Sequence, residues 1–173
     1  MHKVAVLSVA AVMSLAVLLP ISTVLAQQKS LKEQLVGTWT LVSSVSKFPD
    51  GRTEDIFGPN PKGLLILDAN GHFALISLRA TLPKFSSNSR MTGTPEENKA
   101  IVQGSIVFYG TYTVNEADRT FTGHVEGSTF PNFDGVDQKR SIVSLTADEL
   151  KYTNPVVTFA SGVVIEPAWK RAK

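Results

Sequence analysis

The sequence predicts an all-β domain, an up-and-down antiparallel barrel of about eight strands with one or two short helices. Three observations lead there. From residue 105 onward, stretches rich in β-branched and aromatic residues alternate with turn residues. They recur roughly every 8–12 positions, the spacing of barrels and sandwiches. "LLILD" and "HFALISLR" flank Ala69-Asn70-Gly71, and Asn-Gly between apolar runs is a hairpin signal. Sequential strands joined by tight turns form a meander, which closes more naturally into a barrel than into a sandwich with its longer crossovers.

Residues 1–26 stand apart from that pattern. Met1-His2-Lys3 is a short basic start, an uncharged apolar run follows, and Val24-Leu25-Ala26 brings small residues before Gln27. This is the layout of a secretory signal peptide, with cleavage expected after Ala26 and a periplasmic or secreted product. An uncleaved anchor is the alternative, because the run approaches the ~20 residues a spanning helix needs. With no cysteine in the chain, lipid anchoring, disulfides and thiol catalysis are excluded. The barrel domain is then 27–173, with no stable membrane insertion once the leader is removed. Lys+Arg total 17 against 15 Asp+Glu, and the leader holds only Lys3 of these. The mature chain is therefore near neutral, giving no basic face for nucleic acid.

Along the domain, Ser30 with Glu33 is a capping box for a turn or two of helix. "VGTWTLVSSVS" (36–46) then reads as strand, where β-branched and aromatic residues take over. "FPDG" (48–51) is a turn, "FGPNPKG" (57–63) an irregular loop, and 80–94 a long polar loop. Within that loop Phe85 and Met91 are either an anchor or a lid over a barrel mouth. Thr94, Pro95 and Glu97 start a second helix that ends near Gly104. Strands follow over 105–114, 119–128 and 136–145, then "LKYT" and the C-terminal "VVTFASGVVIEPAWKRA".

Gly37-Thr38-Trp39 after a short helix resembles the opening of lipocalins. "LVGTWTLVSS", "FGPNPKGLLILDANGHFAL", "FYGTYTV", "HVEGSTFPNFDG" and "WKR" together resemble the bacterial and fungal lipocalin-like domain family. The likeness runs from about Leu35 to Arg171. It implies a small calycin-type barrel with an internal cavity, and no particular reaction. It also implies that Trp39 plugs the closed end, with Arg171 or Lys170 over its ring as a cation–π contact worth about 0.5–2 kcal/mol. The second lipocalin motif, the stapling disulfide and the C-terminal helix are missing, which sets the chain apart from ordinary lipid carriers.

The polar candidates lie in and around "HVEGSTFPNFDG". Strand alternation puts Thr122, His124, Glu126 and Ser128 on one side, and hydrophobic alternation alone sends that side to solvent. A hairpin symmetric about Asn132 would instead pair Glu126 with Gln138 and His124 with Arg140. That register gathers all four on one face, and the expectation leans toward an inward cluster. Arg140 would offer a fork for a carboxylate or enolate oxygen. His124 beside Glu126 would hold its proton more readily, and Tyr109 or Tyr112 would add a hydroxyl.

Metal binding has little support. His2 falls in the leader, His72 follows the hairpin turn, and neither a His-x-His nor a His-Glu-x-x-His spacing occurs. His124 as a lone haem ligand is the one variant of that idea. No nucleophile elbow, phosphate loop or dinucleotide fingerprint is present, and no cofactor is expected. The leading expectation is an exported barrel binding a small apolar or amphipathic ligand in its cavity. The alternatives are a cofactor-free isomerase or cyclase using His124, Glu126 and Arg140, and a non-catalytic envelope scaffold.

Overall fold

A computed structural model of the protein describes residues 29–155 and 162–173. The expected signal peptide over 1–26 and its cleavage before Gln27 lie outside the described residues.

Nine strands form one antiparallel sheet: β1 Gly37–Lys47, β2 Thr53–Asp55, β3 Lys62–Leu67, β4 His72–Leu78, β5 Ser105–Asn115, β6 Thr120–Ser128, β7 Asp137–Leu145, β8 Glu149–Thr153 and β9 Val164–Arg171. From β3 to β9 each strand pairs with the next, and β9 returns to β1, so eight strands close a barrel. The short β2 is the extra strand. β1 gives its edge to β3 over Gly37–Thr40, then to β2 over Val45–Lys47, while its other edge carries β9. Register shifts at Leu41/Ser43, Tyr109/Gly110 and Ile142/Ser144 are bulges that bend the sheet round. Gly110 sits at one of them, where a side chain would run into the backbone carbonyl of His124.

Two helices accompany the barrel, α1 Leu31–Leu35 and α2 Pro95–Gly104. Both begin with complete capping boxes, Ser30 with Glu33 and Thr94 with Glu97. α1 buries Leu31 and Leu35 across the closed end, and the Glu116 carboxylate accepts from the amides of Leu31 (2.8 Å) and Lys32 (3.3 Å). α2 lies on the rim of the other end. Phe85 is half-buried against Gly93, Met91 is exposed, and neither lines the cavity. No helix among the described residues is long and apolar enough to cross a membrane.

The core fills the closed half and continues into the cavity wall through Phe57, Leu75, Phe108 and Trp169. Trp39, Leu65, Leu67, Phe73, Phe121 and Leu150 are buried in the closed half, each worth about 1.5–3 kcal/mol relative to exposure.

The β6–β7 hairpin departs from the symmetric register. His124 faces Asp137, Gly123 faces Gln138 and Phe121 faces Arg140. A 3₁₀ turn at Pro131–Phe133, and Gly135 at φ 75°, lengthen the second side of the turn. Val125 bonds back to both Gly135 and Val136. The pairing is displaced by three residues, and an odd displacement swaps the faces of the partner strand. Gln138 and Arg140 therefore share the inner face with Phe121, Gly123 and Val125. His124 and Glu126 are exposed on the outer wall.

Candidate functional site

The two ends of the barrel do different work. At the closed end Trp39 is fully buried and its indole N–H donates to the Leu35 carbonyl at 2.9 Å. The Arg171 guanidinium lies 4.0 Å from the ring centroid. Its Nη1 donates to the Val36 carbonyl (3.0 Å), its Nη2 to that of Gln34 (2.7 Å), and its Nε to that of Ala147. A cation thus meets the negative end of α1. Gly37, at φ +138°, makes room, since a Cβ there would lie 2.6 Å from Arg171 Nη1. Lys170, the other candidate for this place, is exposed on the opposite face.

The open half holds a cavity of about 680 Å³. Its upper wall is apolar, formed by Ile56, Phe57, Ile106, Phe130, Phe133 and Ile165, with Ile101 and Val102 of α2 at the mouth. Phe73, Phe108, Phe133 and Phe130 make successive edge-to-face contacts at 5.9, 5.7 and 5.1 Å. This run of rings leads from core to rim, the kind of surface that takes up apolar ligands. Ser44, Ser46 and Ser77 place buried hydroxyls along the wall.

The floor is different in kind. Arg140 is 1% exposed, and four rings surround its guanidinium carbon at 5.5–5.9 Å: Phe73, Phe108, Phe121 and Tyr152. Nη1 donates to the Gln138 carbonyl at 2.9 Å and Nη2 to Gln138 Oε1 at 2.7 Å. Its Nε has no partner. Among the described residues no carboxylate lies within 4.0 Å of it. Burial pushes its pKa down, with the Tyr152 hydroxyl acting the other way, but a guanidinium stays charged at neutral pH. Arg140 is thus a buried cation with no counter-ion.

Two further side chains that line the same space carry unpaired donors. Arginine can only donate, so it fixes Gln138 Oε1 toward itself and turns the amide N–H₂ away. That Nε2 has no partner, and neither does the indole N–H of the buried Trp169. The Tyr152 hydroxyl sits beside Arg140 and Trp169 and interacts with both, without reaching hydrogen-bond geometry to Arg140 Nε or Trp169 Nε1. Burial raises its pKa, opposed by Arg140, so it stays a neutral phenol. Each buried unmade hydrogen bond costs about 1–3 kcal/mol. Three around one cavity need an explanation outside the fold.

The cluster expected from sequence is split. Arg140 and Gln138 line the cavity. His124 lies on the outer wall with Nδ1 2.7 Å from Asp137 Oδ1, and Glu126 is exposed beside it. Tyr109 is 55% exposed and also points outward. Tyr112 is buried, but in the closed half, where its hydroxyl donates to the Asp68 carbonyl at 2.7 Å. The acid–base set of His124, Glu126 and Arg140 is therefore not assembled, because the sheet wall separates its members. The residues missed were Tyr152 and Trp169 as wall of the site. Trp169 could have been found from β9, where Pro167, Trp169 and Arg171 alternate on one side. Among the described residues no group of three or more His, Cys, Asp or Glu is placed to hold a metal ion.

Residues 36–170 match the family model described as a lipocalin-like domain. No curated protein matches the chain. Among solved structures, a lipocalin-like protein from Bacteroides uniformis aligns over 80% of this chain and 99% of its own, at 12% identity and a TM-score of 0.44. A redesigned β-barrel aligns over 83% of this chain and 96% of its own, at 14% identity and a TM-score of 0.43. A second redesigned barrel, bound to DFHBI, aligns over 83% and 100%, at 17% identity and a TM-score of 0.40. Assignment rests on the family model, which runs from Val36 at the head of β1 to Lys170 in β9: the chain belongs to the lipocalin-like domain family.

Proposed function

We propose that this protein binds a small amphipathic molecule in the open half of its barrel, and that it does so after export. One observation carries the binding reading: an apolar-walled cavity of about 680 Å³ ends in three buried N–H donors that the fold leaves unpaired. Pockets with mostly apolar walls and a few converging polar groups are the usual form of small-molecule sites. The basic, apolar and small-residue layout of residues 1–26 supports export.

A titration with the uncharged fluorophore N-phenyl-1-naphthylamine tests the cavity. Saturable emission enhancement is expected with the native chain, and Ser46→Phe, which puts a ring into the cavity, should remove it. Equal enhancement in both proteins would mean that the dye sits elsewhere and the cavity is not the site. N-terminal sequencing of the protein from the cell envelope should begin at Gln27. An intact Met1 on that protein would end the cleavage proposal in favour of the uncleaved anchor, and absence of the protein from the envelope would end the export proposal.

A further inference from the structure

The character of the floor specifies the ligand further, given that the cavity is a binding site at all. We propose that the ligand is an apolar molecule with a single anionic oxygen headgroup, a carboxylate or sulfonate, bound head-down on Arg140, Gln138 and Trp169 with its tail toward the mouth.

The polarity of the floor selects that head. Its free groups are all donors: Arg140 Nε, Gln138 Nε2 and Trp169 Nε1. Of the acceptors nearby, Gln138 Oε1 is already taken by Arg140, and the Tyr152 hydroxyl beside Arg140 and Trp169 carries no charge. A cationic head would meet like charge and only neutral acceptors. A neutral hydroxyl would satisfy a donor and leave the buried charge unbalanced, whereas an anion with two or more oxygens does both. Arg140 is the buried guanidinium of the floor, while Arg79, also in the lining, is exposed, so a singly charged head fits the floor better than a phosphate dianion.

Among the described residues nothing competes for the role of counter-ion. Tyr152 remains a neutral phenol beside Arg140, and the one acid lining the cavity, Glu54, is exposed on β2 at the mouth. The serine hydroxyls along the wall donate or accept equally and do not select a sign. Orientation follows from the rings: Phe108, Phe133 and Phe130 rise from the floor to the rim, so an apolar tail has continuous contact only with its head at the bottom.

Two dyes with one ring skeleton separate the claims. 1-Anilinonaphthalene-8-sulfonate carries an anionic head, and N-phenyl-1-naphthylamine lacks it. The native chain should bind the sulfonate roughly 10- to 100-fold more tightly, the usual return on charge-assisted hydrogen bonds in a desolvated site. Arg140→Met should abolish that preference while retaining affinity for the uncharged dye, with the folded state checked by circular dichroism. Trp169→Phe, which deletes an independent donor, should reduce sulfonate affinity by about threefold or more relative to that for the uncharged dye. Equal affinities in the native chain, or a preference that survives in Arg140→Met, overturn the headgroup assignment and leave the cavity as a binding site. Failure of both dyes to bind removes the binding reading and this inference with it.

Discussion

Replacing Arg140 and Gln138 together by Met and Leu should make the ligand-free protein more stable. The double substitution removes two of the three buried unpaired donors, Arg140 Nε and Gln138 Nε2. At about 1–3 kcal/mol each, their removal returns roughly 2–6 kcal/mol. The hydrogen bond between the two side chains is lost from both partners at once, which is nearly neutral when apolar groups of similar shape take their place. Ring contacts to the guanidinium at 5.5–5.9 Å exchange cation–π attraction for Met packing, at a cost of about 1–2 kcal/mol in total. The expected net gain is roughly 1–4 kcal/mol, in line with buried charges replaced by hydrophobic residues elsewhere. For a domain of this size that raises Tm by roughly 3–12 °C, measured by calorimetry on protein stripped of ligand by refolding. Arg140→Met alone should gain less, because Gln138 Oε1 then loses its donor. A double variant that melts below the native chain would show Arg140 to be a structural element of the core, and the explanation of its missing counter-ion would fall.

Three further outcomes are expected. Arg171→Ala should destabilise by about 3 kcal/mol in urea unfolding, since it removes the stack on Trp39 and three charge-assisted bonds to carbonyls. Arg171→Lys should recover less than half of that, because an ammonium lacks the planar fork. Gly37→Ala should cost about 1–3 kcal/mol through its φ of +138° and the displacement of Arg171, and hydrogen exchange over 31–36 should accelerate with it. Acid should weaken the fold as pH drops through the carboxylate range. Hydrogen bonds from the Ser30 backbone hold Glu33 below its ordinary 4.5, Ser86 and Thr94 do so for Glu97, and His72 holds Asp68 below 3.8. Groups depressed in the folded state contribute above their unfolded pKa and lose that contribution as pH falls through the folded one. Glu33→Gln with Glu97→Gln should flatten the pH–stability profile below about pH 4.5, and an unchanged slope would refute the assignment.

Local signals were readable in the sequence and non-local ones were not. Both capping boxes and the Asn70-Gly71 turn appear where the chain spells them, because each is decided within four or five residues. The face of β6 needed the register of its partner. The turn between them carries a 3₁₀ segment and a left-handed Gly135, which "STFPNFDG" does not announce. Hydrophobic alternation had placed His124 and Glu126 outside, and the assumed symmetric hairpin overrode it. Arg140 and Gln138 were read as polar candidates and do line the cavity, but their company on the floor, Trp169 and Tyr152, comes from β9 and β8. Only closure of the barrel brings those strands together.

That closure also decides how the protein behaves in a crowd. Unpaired backbone along a strand is a template on which other chains can grow, and open sheets aggregate through it. Here every strand of the ring has a neighbour on both sides, and among the described residues the open backbone includes the outer side of three-residue β2 and the first residues of β3. Arg52, Glu54, Asp55 and Lys62 occupy those short margins, and strongly hydrated side chains there discourage strand addition by another copy. A protein with a greasy, half-empty interior thus keeps most of the strand backbone of its described residues paired within itself.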